Sequence, residues 1–188
     1  MNEIQIIRDE EFRIEEPTAV CIGKFDGVHL GHKKLLNMIT EKKKDGLTPT
    51  VFTFNPSPEE LFTGRRVNNL LSDEEKYDLF ERMGIEIVIE YPLNLVNAAI
   101  DPIDFVEKIL VKGMNMKYIA AGSDISFGKG GRGNRDLIVK LSEKLGFDCD
   151  IIEKVRVDGE VVSSTRIRHA IAEGHTEVAD RMLGRIEG

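Results

Sequence analysis

Two histidines three residues apart, His29 and His32, close the segment Gly23-Lys-Phe-Asp-Gly-Val-His-Leu-Gly-His32, where a strand gives way to a helix. That spacing puts both rings on one helix face. A helix N-terminus carries free N–H groups and a partial positive charge, so two imidazoles added there make a site for polyphosphate. Gly31 opens the backbone to a phosphate, and Gly23 and Gly27 permit a tight turn out of the strand. Phe25 reads as a packing residue. Asp26 reads as a brace of the loop or a group that orients ligand. A second cluster, Ser163-Ser-Thr-Arg-Ile-Arg168, brings Ser164, Thr165 and Arg168 together if it opens a helix. Hydroxyls and N–H groups at a helix start hold phosphate oxygens, and an arginine forks onto them. By itself the run also fits a Ser/Thr cap with solvated arginines, Arg166 pointing outward.

The elements that must position these groups alternate along the chain. Strands are expected at Ala19–Ile22, Thr50–Phe54, Glu86–Glu90, Tyr118–Ala121 and near Cys149–Lys154. Helices are expected from about Gly31 to Lys44, with Leu35, Leu36 and Ile39 inward, and from the capping box Ser72-Asp-Glu-Glu75 to Met83. Further helices run from Pro102 to about Val111, from about Arg135 to Leu145, and in two pieces after Ser164 broken at Gly174. This order implies an α/β protein, a Rossmann-like parallel sheet with helices on both faces. Ligands in such folds bind beyond the carboxyl ends of the strands. Gly23–His32, Asn55–Glu59 and Gly122–Asn134 all fall at such ends, so they are expected to converge on one cleft.

The chain has 188 residues, 41% hydrophobic and 31% charged, which suits one domain with a full core. Its net charge of -7 argues against a protein whose main work is gripping nucleic acid. The N-terminus lacks a signal-peptide core and no run reaches the length of a membrane span, so a cytoplasmic protein without membrane contact is expected. Cys21 and Cys149 show no metal spacing and read as buried thiols.

His29-Leu-Gly-His32 resembles the H-x-G-H signature of the nucleotidyltransferase superfamily that includes class I aminoacyl-tRNA synthetases. Val162-Ser-Ser-Thr-Arg-Ile-Arg168 resembles the I-S-S-T-x-x-R signature of FAD synthetases. Thr53-Phe-Asn-Pro-Ser-Pro-Glu59, Gly122–Asn134 and Ala170–Arg185 are similar to stretches of bacterial FAD synthetase, the N-terminal module of bifunctional riboflavin kinase/FAD synthetases. The likeness runs from about residue 18 to 185. It implies the H-x-G-H nucleotidyltransferase fold over residues 1–188 as a single domain, and the transfer of AMP from ATP to FMN with Mg²⁺, releasing pyrophosphate. Attack on an α-phosphate builds negative charge that positioned donors stabilise, each by roughly 3–4 kcal/mol. An ionised acceptor phosphate needs no general base.

The resemblance also implies residue roles. His29, His32 and Arg168 would be catalytic. Gly23, Phe25, Asp26, Gly31, Ser164, Thr165 and Arg168 would bind ATP. Asn55, Pro56, Pro58, Asp124, Ile125, Phe127 and Arg132 would bind the flavin, and Asp124 the magnesium. Phe54 with Pro56 and Pro58 would form a rigid apolar wall for the ring. Lys129 and Arg132, on the loop Gly128–Gly133, would close over phosphates or sit on a merely flexible tip. The sequence departs from the family at Asn55 and Ser57, often Asp and His, and at Ile125, often aromatic. In bifunctional members a riboflavin kinase barrel follows Leu-Gly-Arg. Here the sequence ends at Gly188, so no kinase domain is expected in it, and a fused or separate riboflavin kinase is the expected partner. Two other readings stand beside this one. The acceptor could be another phosphorylated molecule, such as phosphopantetheine or nicotinamide mononucleotide, or the chain could be a non-catalytic flavin or nucleotide sensor.

Overall fold

The computed structural model describes residues 3–186. The expected domain also covers residues 1–2 and 187–188, which lie outside the described residues. Six parallel strands form one sheet in the order β1-β4-β3-β2-β5-β6. They are β1 Gln5–Ile7, β2 Thr18–Ile22, β3 Thr48–Asn55, β4 Ile87–Pro92, β5 Met116–Gly122 and β6 Asp148–Ile152. A two-stranded antiparallel ribbon, β7 Arg156–Val157 and β8 Glu160–Val161, follows the sheet. The strand β1 and this ribbon were not expected, because runs of two or three residues are too short to show a period.

Side chains alternate between the two faces of the sheet, as strand geometry requires. From β2, Ala19 and Cys21 enter one core with Val51, Val88 and Ala120, and Val20 enters the other with Phe52, Ile89 and Ile119. The first core is covered by α1 Leu30–Glu41, through Leu35, Leu36 and Ile39, and by α3 Asp73–Arg82, through Phe80. The second is covered by α5 Arg135–Leu145 and by the helix that starts as α4 Pro102–Asp104 and continues as a π-helix over Phe105–Gly113. Asp101 caps that helix and Pro102 takes its first turn, as the sequence implied. The capping box at Ser72 and Glu75 also forms. One helix was not expected: α2 Pro58–Thr63, capped by Ser57 and opened by Pro58. The last two helices, α6 Ser164–Ala172 and α7 Thr176–Leu183, pack on a small third core with the ribbon.

Strand β2 lies between β3 and β5. The chain builds the sheet outward on one side of β2 through β3 and β4, then crosses to the other side for β5 and β6. The crevice above β2 and β5 is therefore the topological switch point, where open parallel sheets bind ligands. The loop carrying the two histidines leaves β2 at that crevice.

Candidate functional site

His29 is the N-cap of α1, in extended backbone with φ -72°. Its Nδ1 accepts the N–H groups of Gly31, at 3.1 Å, and of His32, at 3.3 Å. His32 replies, its Nδ1 accepting the His29 N–H at 3.3 Å. This is a capping box made of two imidazoles. The rings stack with centroids 3.6 Å apart and planes 16° apart. Two N–H groups expected to face a phosphate are thus already satisfied, and the rings present their far edges instead. With both Nδ1 atoms accepting, the proton of each neutral ring sits on Nε2. Burial keeps both rings neutral. It pushes His29 down to about 4, and holds His32 well below the ordinary imidazole range, with the neighbouring His29 adding to the effect.

Gly31 is needed for a reason the sequence did not suggest. A Cβ there would stand 3.0 Å from the His29 ring, so the glycine makes room for the imidazole as well as for any ligand. Phe25 is corrected: its ring is fully buried and cannot touch a nucleotide. It packs edge-on against Phe80 at 5.6 Å and under His32 at 5.1 Å, so it backs the histidine.

Two cavities open on either side of this loop. The first, about 260 Å³, sits at the switch point and is lined by Gly23, His29, Gly31, His32, Gly122, Asp124, Ile125, Lys154, Ser163 and Ser164 among others. The first turns of α1 and α6 both face it. Ser163 caps α6, accepting the Arg166 N–H at 3.1 Å. The second cavity, about 690 Å³, lies over the ends of β3 and β4 and is walled by residues 64–69 and the start of α3. Phe54, Asn55, Pro56 and Ser57 line it as expected, with Lys24, Asp26, Glu60, Arg65, Arg66, Lys76 and Glu90. The strand ends expected to share a cleft line two neighbouring cavities, with Lys24 and Asp26 on one side of the loop and Gly23 and His29 on the other.

Glu90 was missed by sequence reasoning, although a carboxylate ending an apolar strand was a signal. It is 5% exposed. Its Oε2 accepts from Arg8 Nε and its Oε1 from Asn55 Nδ2 at 2.7 Å. The Asn55 amide is thereby oriented from below. Glu60 pins the opposite wall, accepting from the Ser57 N–H at 3.1 Å and the Val67 N–H at 3.2 Å. These backbone donors draw its carboxyl below the usual range. Ser57 is the other half of that cap.

Several expected site residues stand elsewhere. Arg168 lines neither cavity: its guanidinium pairs with Asp26 and its Nε donates to the Asn68 carbonyl at 2.8 Å. Ser164 reaches the first cavity, but its hydroxyl donates to the Asp26 carbonyl at 2.8 Å. Thr165 is exposed in the first turn of α6, outside both cavities. Arg166 pairs with Glu160 at 2.9 Å. Pro58 is the exposed first residue of α2 and does not extend the apolar wall of Phe54 and Pro56. Phe127 is a core residue, 4% exposed against Phe105, and Gly133 folds over it. Arg132 is exposed on the glycine-rich turn, its Nε on the Lys129 carbonyl, away from both cavities. That turn is not merely flexible: the Lys129 N–H donates to the Ile100 carbonyl at 2.7 Å, and Gly128 packs on Pro102. Ala170–Arg185 lies away from the second cavity, docking on α1 through Lys33 and the Leu183 carbonyl at 2.8 Å. Cys21 is buried as expected, but Cys149 only half so.

Asp124 and Ile125 do reach the first cavity rather than the second. The Asp124 carboxylate lies 3.6 Å from Lys154. Among the described residues, no group of three or more His, Cys, Asp or Glu could hold a metal ion. Asp124 is a single exposed carboxylate beside an ammonium, a donor that suits magnesium only together with substrate phosphates. Among the same residues, no helix is long and apolar enough to cross a membrane.

Comparison with known proteins bears on this arrangement. The family model described as FAD synthetase matches residues 11–166. The bifunctional riboflavin kinase/FMN adenylyltransferase of Bacillus subtilis (strain 168) is 32% identical over 185 residues, covering 95% of this chain and 56% of that protein. Its counterpart in Escherichia coli (strain K12) is 33% identical over 172 residues, covering 90% and 55%. The chain thus spans about half the length of the curated relatives it matches. Among solved structures, a Streptococcus pneumoniae protein named as a macrolide-efflux protein superposes with a TM-score of 0.83 at 27% identity, over 96% of this chain and 62% of that one. A pantoate-beta-alanine ligase from Francisella tularensis superposes with a TM-score of 0.56 at 14% identity, over 96% and 78%, a likeness of fold alone.

Proposed function

The chain belongs to the FAD synthetase family, and from that premise we propose that it is an FMN adenylyltransferase, moving AMP from ATP to FMN with release of pyrophosphate. The observation that carries this reading is the stacked, neutral histidine pair at the switch point, facing the first turn of α6. In this reading the triphosphate lies between the two helix starts, where N-terminal partial charge favours phosphate. His29 and His32 direct their Nε2–H groups at the α-phosphate. Lys154 adds a cation at the rim.

FMN takes the larger cleft, whose volume of about 690 Å³ lies within the range of small-molecule sites. Phe54 and Pro56 offer the apolar wall, and Asn55, steered by Glu90, a polar edge. Lys24, on the loop between the cavities, is a cation on the acceptor side available to the acceptor phosphate. Magnesium enters this reading bound to the triphosphate oxygens. The unpaired Cys21 and Cys149 fit a reducing, cytoplasmic setting. A riboflavin kinase as partner follows from the bifunctional names of the relatives.

The test is incubation of the chain with ATP, Mg²⁺ and FMN, with chromatography of the products. FAD is expected. Parallel arms replace FMN with phosphopantetheine or nicotinamide mononucleotide. A product from either, with none from FMN, overturns the choice of acceptor. No product in any arm overturns the enzymatic reading.

A further inference from the structure

Asp26 stands at the junction of the two cavities and is 5% exposed. It takes partners from three directions. Its Oδ1 accepts the Leu70 N–H at 2.7 Å, and its Oδ2 accepts from the Arg168 guanidinium. Its backbone carbonyl accepts the Ser164 hydroxyl at 2.8 Å. The knot closes on itself, because Arg168 Nε donates to the Asn68 carbonyl at 2.8 Å. Asp26 and Asn68 line the acceptor cleft, whereas Ser164 lines the nucleotide cavity. One residue is therefore tied to both sides: its carboxylate holds Leu70 and Arg168, and its backbone carbonyl holds Ser164.

The backbone at this point is held against its preferences. Phe25 and Val28 have φ of 55° and 46°, in the left-handed region that side chains disfavour. Such conformations persist where the surroundings over-determine them, and they gather at functional sites. Gly27, at φ 79°, has no room for a side chain: a Cβ would stand 2.7 Å from Leu70. The loop is thus pressed against residue 70 by packing and tied to it by Asp26.

We propose that Asp26 is a positioning residue that sets the register between the segment at residues 68–70 and α6, its carboxylate holding Leu70 and Arg168 and its backbone carbonyl holding Ser164, so that the acceptor and nucleotide sites are coupled through one buried residue. The proposal rests on the two-substrate reading above. Its consequence is that Arg168 supports acceptor binding from a distance. A purely nucleotide-binding arginine would not.

The test measures FMN binding by quenching of its fluorescence, with no nucleotide present. Asp26→Asn keeps the shape and the Leu70 bond but removes the charge. Arg168→Gln breaks the knot from the other side. Each is expected to weaken FMN binding about tenfold, and the double variant to be no weaker than either single one. Unchanged FMN affinity in folded Arg168→Gln, or additive losses in the double variant, overturns the proposal. Where Asp26→Asn fails to fold by circular dichroism, Arg168→Gln alone decides by the same criterion. Failure of the unaltered chain to bind FMN overturns the acceptor reading itself. Binding by the unaltered chain with Arg168→Gln unaffected overturns only the coupling.

Discussion

The two cavities share the loop Gly23–His29 as a wall and are built from opposite materials. The cavity proposed for the nucleotide places its histidines and Ser163 by local caps, although Ser164 is tied to Asp26 138 residues away. Its histidines cap the helix they stand on, and Ser163 caps the helix opposite. The acceptor cleft uses side chains brought from far along the chain. Arg8 and Glu90 are 82 residues apart, Asp26 and Leu70 are 44, and Arg168 and Asn68 are 100. The first cavity carries few charges and neutral rings. The second sets Lys24, Arg65, Arg66 and Lys76 against Glu60, Asp73 and Glu90. A site made from caps tolerates change elsewhere in the fold, whereas a site made from long-range pairs depends on the register of every element it ties.

The comparison breaks most sharply at His32. His32→Ala is expected to lower FAD formation by roughly two to three orders of magnitude, while the lost reciprocal cap costs about 1 kcal/mol of stability. Steady-state turnover and thermal unfolding measure the two. Near-normal turnover would remove the histidines from the chemistry and leave them as caps.

Acid is the next lever. His29 titrates at about 4 in the fold and near the ordinary 6.5 when unfolded. Between those values the unfolded chain binds more protons, so stability rises with pH and is lost as pH falls from 6.5 toward about 4. The slope is at most about 1.4 kcal/mol per pH unit for each ring. His32 acts in the same direction. His29→Asn keeps a capping acceptor without a titrating ring, so its unfolding midpoint should vary less over that window. An equal acid loss in the variant would show that carboxylates alone carry the effect.

Glu90→Gln sharpens the other half. An amide facing Arg8 replaces a carboxylate and loosens the Asn55 amide. FMN binding is expected to weaken about tenfold with ATP affinity unchanged, since each tenfold is 1.4 kcal/mol, the scale of one charged hydrogen bond. Titration of each ligand separately measures this. Equal losses for both would erase the division into two sites. The smallest effect is expected from Ser163→Ala, which removes one cap for about 1 kcal/mol of stability and leaves FMN affinity alone. Chemical denaturation with a parallel FMN titration checks it.

The contrast between the cavities also marks how much could be read in advance. The five longer strands of the sheet, the two-piece C-terminal helices and the histidine pair at a helix start all rest on spacing of a few residues, which sequence carries directly. The roles of Arg168, Phe127 and Pro58 did not. Arg168 shares its type and spacing with phosphate-binding arginines, yet Asp26, 142 residues away, takes its guanidinium. Phe127 follows a strand end expected to face ligand, but its ring turns into the core beside Phe105. Pro58 completes an apolar triplet in sequence and opens a helix in space.

For His29-Leu-Gly-His32 the sequence alone determined the helix start and the shared face of the rings. Only tertiary structure decided that the rings would be neutral, because burial against Phe25 and the neighbouring walls disfavours the charged form. Only tertiary structure decided that Asp26 would be bonded to Leu70, Ser164 and Arg168, groups that meet only when the chain has folded.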